Sequence, residues 1–317
     1  MFYLVAVCGA LLGVYALLQL TVFKMPRCKS SAKLHGKTVV VTGSNTGIGK
    51  ATAMNLAKRG ARVILACRDK QRAEAAVNDI KKESGNNEVL YMQLDLASLR
   101  SVRSFAENFL KAEPRLDILI NNAGLAMRGK TEDGFGMIFG VNHLGHFLLT
   151  VLLLDRLKEC APSRVVTVSS CAHVMGKVDF DCINTHKDLG LGGSTIRLLK
   201  LYSHSKVCNI LFTHELAKKL EGTNVTCFSL HPGIIKTEIG RHSNLWWKII
   251  LAPFVLLSSD VESGAQTVLH CALQEGIEPL SGRYFSKCAV ADVSAVARDD
   301  ATAKKLWEVS ERLCGLA

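Results

Sequence analysis

The chain has 317 residues, 48% of them hydrophobic, enough for one large α/β domain with a substantial core. Its net charge of +11 suits an anionic membrane surface or a phosphorylated ligand. Nucleic acid is excluded as a partner, because no arginine-rich stripe, zinc-ligand spacing or RNP-like aromatic motif accompanies the charge. Eleven cysteines without framework spacing exclude a disulfide scaffold and read as reduced thiols of a cytosolic portion.

Residues 2–23 contain no charged side chain and reach about 33 Å at helical rise, the thickness of a bilayer's hydrocarbon core. The positive charges Lys24, Arg27, Lys29 and Lys33 all follow the apolar run, which argues for a retained transmembrane anchor over residues 1–23 rather than a cleaved signal peptide. The same charges place the rest of the chain on the cytosolic side, with membrane lipid as a partner. Residues 24–36 read as a basic linker broken by Pro26. Within it, Cys28 is either acylated or an ordinary juxtamembrane thiol. Under this topology the sequon at Asn224 carries no glycan.

From residue 37 to 317 apolar strands alternate with amphipathic helices, the pattern of a single Rossmann-type, doubly wound α/β domain with a parallel sheet of about seven strands. The predicted strands are 38–42, 62–66, 89–94, 117–120, 164–169, 225–230 and a short 283–285. The predicted helices include 47–59, 70–83, 99–111, 135–159 and 205–220. After the first strand comes Gly43-Ser44-Asn45-Thr46-Gly47-Ile48-Gly49-Lys50, a glycine-rich turn opening a helix. Gly43 permits the reversal, Gly47 lets backbone approach a pyrophosphate, and Gly49 lets the helix lie close on the sheet. The anion then rests on free N–H groups at the helix N-terminus.

Asn121-Asn122-Ala123-Gly124 follows the fourth strand and offers amides and close backbone approach, although alone it is only a turn. His143 and His146, three apart on a helix, have no third ligand nearby in sequence, so no metal is expected. Val165-Val166-Thr167-Val168-Ser169-Ser170 delivers two hydroxyls to a strand end, of which one faces any given target. Tyr202 and Lys206 are i and i+4, so phenol and ammonium share a helix face, and the cation is expected to lower the phenol's pKa toward neutrality. Residues 245–257, apolar nearly all round and too short to span a bilayer, read either as a buried helix or as a lid over an apolar substrate pocket.

With these residues in view, the chain resembles a short-chain dehydrogenase/reductase of the classical type. The matching elements are Thr42-Gly43-(x)3-Gly47-Ile48-Gly49, Asp95, Asn121-Asn122-Ala123-Gly124, Asn142, Ser170, Tyr202-(x)3-Lys206 and Pro232-Gly233-(x)3-Thr237, in family order. The apolar start, Ala66-Cys67-Arg68-Asp69 and His231-Pro232-Gly233 are similar to its membrane-bound retinol dehydrogenase branch. The resemblance implies that Tyr202 donates and accepts the proton and that Lys206 lowers its pKa and holds the nicotinamide ribose. Ser170 would polarise the substrate carbonyl, Ser169 would be structural, and Asn142 would anchor a water leading from Lys206 to solvent. It further implies cofactor contacts from residues 43–50, Arg68, Asp95, Leu96, Asn122, Ala123, Gly124, Tyr202, Lys206, Pro232, Gly233 and Thr237.

Charge argues for NADP(H). The second strand ends in Cys67 and Arg68 where an NAD enzyme places an acid against the ribose, Lys50 adds a cation, and Asp69 is expected to point away. The reading that follows is an anchored oxidoreductase of a lipophilic aldehyde, ketone or alcohol, a retinoid by resemblance, with the endoplasmic reticulum as the expected membrane. A steroid or fatty-aldehyde oxidoreductase and a catalytically silent NADP(H)-binding scaffold are the alternatives, and homo-oligomerisation is left open.

Overall fold

The computed structural model describes residues 25–185, 195–233, 235 and 260–317. The expected anchor at 1–23 and the 245–257 segment lie outside the described residues, as does Thr237. Eight strands form one sheet: β1 (Thr38–Thr42), β2 (Arg62–Cys67), β3 (Val89–Gln93), β4 (Ile118–Asn121), β5 (Ser163–Val168), β6 (Val225–His231), β7 (Tyr284–Ser286) and β8 (Ala289–Val290). Their order is β3-β2-β1-β4-β5-β6-β7-β8, parallel throughout except for β8, which pairs antiparallel with β7. This corrects the expected seven strands.

The central strands β1, β2, β4 and β5 are rich in buried Val, Ile and Leu because both faces of the sheet are covered. Val39 and Val41 point into one core layer with Leu56 and Leu269, while Val40 points into the other with Phe105, Phe109 and Leu148. The same alternation runs through β2, where Val63 and Leu65 face one layer and Ile64 and Ala66 the other. Each such side chain removed from water contributes roughly 1.5–3 kcal/mol. Helices α1 (Gly47–Lys58), α2 (Lys70–Ser84) and α7 (Val261–Leu273) supply the first layer, and α3 (Leu99–Ala112), α4 (Met137–Glu159) and α6 (Thr195–Lys219) the second. A short α5 (Phe180–Thr185) precedes α6, and α8 (Asp300–Leu313) closes the chain, its Trp307 ring 4.9 Å from Phe147 and 5.9 Å from Phe212.

Two helices differ from expectation. The predicted helix 135–159 begins at Met137 and contains a π-helical turn, Gly140–Leu144, that carries Asn142. The helix predicted over 205–220 begins at Thr195, so Tyr202 sits well inside it. Among the described residues α4 is the one helix long and apolar enough to cross a membrane, but Phe147, Leu148, Leu149, Leu153 and Leu157 spend its apolar surface in the core.

The chain turns from building the sheet in one direction to building it in the other between β1 and β4, and the loops leaving their carboxyl ends must diverge there. That switch point holds the glycine turn and the Asn121-Asn122-Ala123-Gly124 segment. Residues 25–36 form no helix or strand, yet they are tied to the domain: Arg59 Nη1 donates to the Ala32 carbonyl at 3.0 Å, the Cys28 N–H to Gln266 at 3.1 Å, and Leu34 joins the core.

Candidate active site

The glycine turn follows from its crowding. Gly43 has φ +62°, and a Cβ there would lie 2.9 Å from Ala123 Cα. A Cβ on Gly49 would come within 2.5 Å of Asn122 Nδ2 and of the Gly43 carbonyl, so only glycine lets α1 start this close to the sheet. Beside Gly47, by contrast, there is open space. Asp69, Ser98, Asp260 and Asp299 each cap a helix through the side chain, but Thr46 makes no such bond at the start of α1. The turn is therefore a cradle whose open side presents uncapped N–H groups, and it fits a pyrophosphate.

Thr42 stitches the two sides of the switch point together. Its Oγ1 accepts from the Asn122 and Ala123 N–H groups, both at 2.9 Å, and lies 2.9 Å from His146 Nε2. The Asn122 side chain donates to the carbonyls of Thr42 at 2.8 Å and Gly43 at 3.3 Å. It is thus spent on ordering the turn, which leaves Asn122 to face a ligand through its backbone. Ser44 is likewise turned inward, donating to the Val41 carbonyl at 2.7 Å. Asn45, Ile48 and the backbone of this turn remain at its rim.

Around the expected ribose and adenine side, Cys67 is buried against Ser44, with 3.7 Å between sulfur and oxygen. Arg68 is exposed just beyond it and has no ion-pair partner among the described residues. Asp69 departs from expectation: β2 stops at Cys67, so Asp69 is no longer part of a strand and instead N-caps α2, accepting from the Arg72 N–H at 3.0 Å. The Lys50 ammonium pairs with Asp79 on α2 at 2.5 Å. After β3, Asp95 accepts from the Ala97 N–H at 2.9 Å, while Leu96 packs on α4 where a Cβ on Gly145 would touch its carbonyl at 2.7 Å. Pro232 and Gly233, the latter at φ +98°, leave the end of β6.

The second constellation joins β4, β5, α4 and α6. Lys206 is buried, donates to the Val168 carbonyl at 3.0 Å, and has its ammonium 5.5 Å from the Tyr202 ring centre. Gly124 faces both Lys206 and Asn142: a Cβ there would lie 3.3 Å from Lys206 Nζ and 3.7 Å from Asn142 Oδ1. Asn142 accepts from the Leu125 N–H at 2.9 Å and donates to the Leu125 carbonyl and to Ser205 Oγ, both at 3.0 Å. Ser205 in turn donates to the Tyr202 carbonyl at 2.7 Å. Both amide donors of Asn142 are therefore used as a clamp between loop and helix. Ser169 donates to the Lys206 carbonyl at 2.7 Å, and the Ser170 hydroxyl, one residue on, acts on the Tyr202 phenol and lowers its pKa. The two serines face opposite ways, as the alternation of an extended chain requires.

Electrostatics correct one expectation. Burial pushes the Tyr202 phenol up to about 12, opposed by the Ser170 hydroxyl, and burial pushes Lys206 down to about 8. The Lys206 ammonium stands 5.5 Å from the ring centre, and the expected lowering toward neutrality is outweighed by burial, which the Ser170 hydroxyl opposes. His143 and His146 are both buried and held to about 3 by desolvation. His143 meets Ser310 at 2.9 Å, and no group of three or more metal-ligating side chains gathers among the described residues.

An open glycine cradle beside a serine, tyrosine and lysine on one sheet edge defines a nucleotide-dependent oxidoreductase. The chain belongs to the short-chain dehydrogenase/reductase family: the short chain dehydrogenase pattern matches residues 37–182. It is 54% identical to Bos taurus dehydrogenase/reductase SDR family member 13 over 97% of this chain and 81% of that protein. It is 51% identical to Homo sapiens retinol dehydrogenase 12 over 91% of this chain and 90% of that one. Among solved structures, a short chain dehydrogenase from Burkholderia cenocepacia J2315 in complex with NADP superposes with a TM-score of 0.61 at 25% identity, covering 80% of this chain and 96% of that one.

Sequence reasoning missed Thr42 and His146 as parts of the site. Thr42 was visible only as the residue before a glycine, and the Thr42–His146 contact spans 104 positions.

Proposed function

We propose that this protein is a membrane-anchored oxidoreductase that interconverts a lipophilic aldehyde or ketone and its alcohol with NADP(H), a retinoid being the favoured substrate. The observation that carries the reading is the Ser170–Tyr202–Lys206 arrangement set beside the open side of the glycine turn. A phenol held near 12 is protonated at neutral pH, so Tyr202 rests as an acid and donates its proton to a carbonyl oxygen in the direction of reduction. Ser170 donates to the same oxygen as negative charge develops. Once the proton has left, the Lys206 ammonium stabilises the phenolate across the ring face, and Asn142 holds the loop that borders both. A bound nicotinamide supplies or accepts the hydride. Residues 43–50 hold the pyrophosphate, with Asp95, Leu96, Ala123, Gly124, Pro232, Gly233 and Thr237 lining the rest of the cofactor.

Arg68 supports NADP(H), since an exposed guanidinium without an ion-pair partner among the described residues, beside a neutral Cys67, favours a 2′-phosphate, whereas the acid that would bind a free ribose is absent from this position. Residues 1–23 anchor the chain, 24–36 link it to a single catalytic domain over 37–317, and the domain faces the cytosol from the endoplasmic reticulum. The name borne by the retinol dehydrogenase 12 relative supports a retinoid. A panel of retinoid, steroid and alkyl aldehydes, with the full chain in detergent and NADPH oxidation as the signal, tests the reading. Turnover of the retinoid ahead of the others is expected; no consumption across the panel would replace the enzyme with a cofactor-binding scaffold.

A further inference from the structure

We propose that the carboxyl edge of the sheet docks on the headgroup region of an anionic bilayer, so that the mouth of the Ser170–Tyr202 crevice opens onto lipid. This identifies the face of the domain that meets the membrane, and in its consequence for substrate access it rests on the function proposed above.

Two observations converge. The first is a surface. Val174, Met175, Ile196 and Leu199 are 65%, 56%, 60% and 44% exposed, and they are four of the seven large apolar side chains exposed among the described residues. They lie on two segments that meet, the one after β5 and α6. A Cβ on Gly176 would lie 2.4 Å from the Ser203 carbonyl and 2.7 Å from Val207, so the segment carrying Val174 and Met175 lies directly against α6. Ile196, Leu199 and Ser203 recur along that helix at i, i+3 and i+7, one stripe leading into the contact. The patch surrounds the reacting groups in sequence, since Val174 follows Ser170 by four residues and Leu199 precedes Tyr202 by three. Lys177 and Lys200 are exposed beside it, and residues 171–178 and 196–202 contain no carboxylate. Apolar side chains rimmed by cations match an interface between acyl chains and anionic headgroups.

The second observation is where the chain enters the domain. The Met25 side chain lies against the loop after β6: its Cε and Sδ are 3.2 Å and 3.3 Å from where a Gly233 Cβ would stand. β6 is the neighbour of β5, and the residues after β5 carry Ser170, Val174 and Met175. A bilayer holding the residues just before Met25 therefore lies at this same edge, not at the opposite one.

The test uses the full chain reconstituted in vesicles of phosphatidylserine and dibrominated phosphatidylcholine, whose bromines quench nearby indole fluorescence. Met175→Trp and Ile196→Trp each report on the patch, and Glu221→Trp reports on the opposite edge, all read as the increment above the parent's own three tryptophans. Quenching at 175 and 196 without quenching at 221 is expected. Replacing the phosphatidylserine by phosphatidylcholine, or adding Lys177→Glu with Lys200→Glu, should weaken it by about fivefold per lost charge interaction. No quenching at 175 and 196 in a chain that resists carbonate extraction would overturn the docking while leaving the anchor in place. Quenching that survives in a chain removed by carbonate would support the docking and sink the anchor. A lipid-independent blue shift growing with protein concentration would assign the patch to a second copy and overturn the proposal.

Discussion

The Lys206 ammonium lies 5.5 Å from the centre of the Tyr202 ring and donates to the Val168 carbonyl at 3.0 Å. The i, i+4 spacing brings the two side chains together, and burial then drives their pKa values apart, the phenol up to about 12 and the ammonium down to about 8. Two neighbouring groups separated in this way are suited to distinct jobs, one holding a proton and the other balancing the charge left when it goes.

The pH dependence of reduction follows from these values. Lys206 loses its charge as pH rises through about 8, whereas Tyr202 keeps its proton well beyond that point. The kcat/KM for carbonyl reduction by the free enzyme should be flat below about 8 and fall above it, and a profile that rises through this range would place the working charge elsewhere.

The Ser170 hydroxyl opposes the rise of the Tyr202 phenol, and its Oγ accepts from the Ala172 N–H at 3.1 Å. Ser170→Ala should lower kcat by about a hundredfold, the order expected for a donor aimed at developing negative charge. Ser169→Ala, which removes only a bond to the Lys206 carbonyl, should cost stability rather than selective turnover. Steady-state kinetics beside thermal melts separate the two; equal kinetic losses would mean that the serines are not divided in role.

His146 holds Thr42 on one side and the Asn142 carbonyl, at 3.3 Å, on the other. Thr42 Oγ1 accepts two N–H groups and has both the Ile120 carbonyl, at 3.4 Å, and His146 Nε2 within reach of its own proton. The folded state holds His146 and His143 neutral down to about 3, while the unfolded chain takes up protons below about 6.5. Stability is therefore complete above about 6.5 and is lost as pH falls toward 3. His146→Gln should flatten that acid slope by about one proton, checked by denaturant melts across pH, and an unchanged slope would show that His146 is not held neutral.

Arg68→Asp places a carboxylate where Cys67 and Arg68 leave the second strand without one. Removing the guanidinium and adding a repelling charge should weaken NADPH binding by about a hundredfold or more while sparing NADH, read by titration of dinucleotide fluorescence. Equal effects on both would refute the preference.

The sheet was legible because strands such as β1, β2, β4 and β5 are buried runs rich in β-branched and aliphatic residues bounded by turn signals. β8 was not, since Ala289 and Val290 are exposed and the turn before them is made by Lys287 and Cys288 at φ +50° and +56°, with no glycine or asparagine to mark it. The π turn at Gly140–Leu144 was hidden because α4 is apolar on almost every side, so a slip of one residue leaves no gap in the pattern. Asp69 is expected to point away on the condition that β2 continues, and β2 stops at Cys67; an aspartate just before a helix is an N-cap signal in its own right. In the site, the glycine turn and the Tyr202–Lys206 pair could be read because their partners are local in sequence. The Thr42–His146 and Asn142–Ser205 bonds could not, since only the packed layers bring such distant residues together.

The most direct measurement is Tyr202→Phe in the full chain, with retinoid reduction and NADPH binding followed on the same preparation. Loss of the one hydroxyl should lower turnover by about a thousandfold or more while the affinity for NADPH stays within a factor of about two. Turnover retained at the parent rate, with binding intact, would contradict the account.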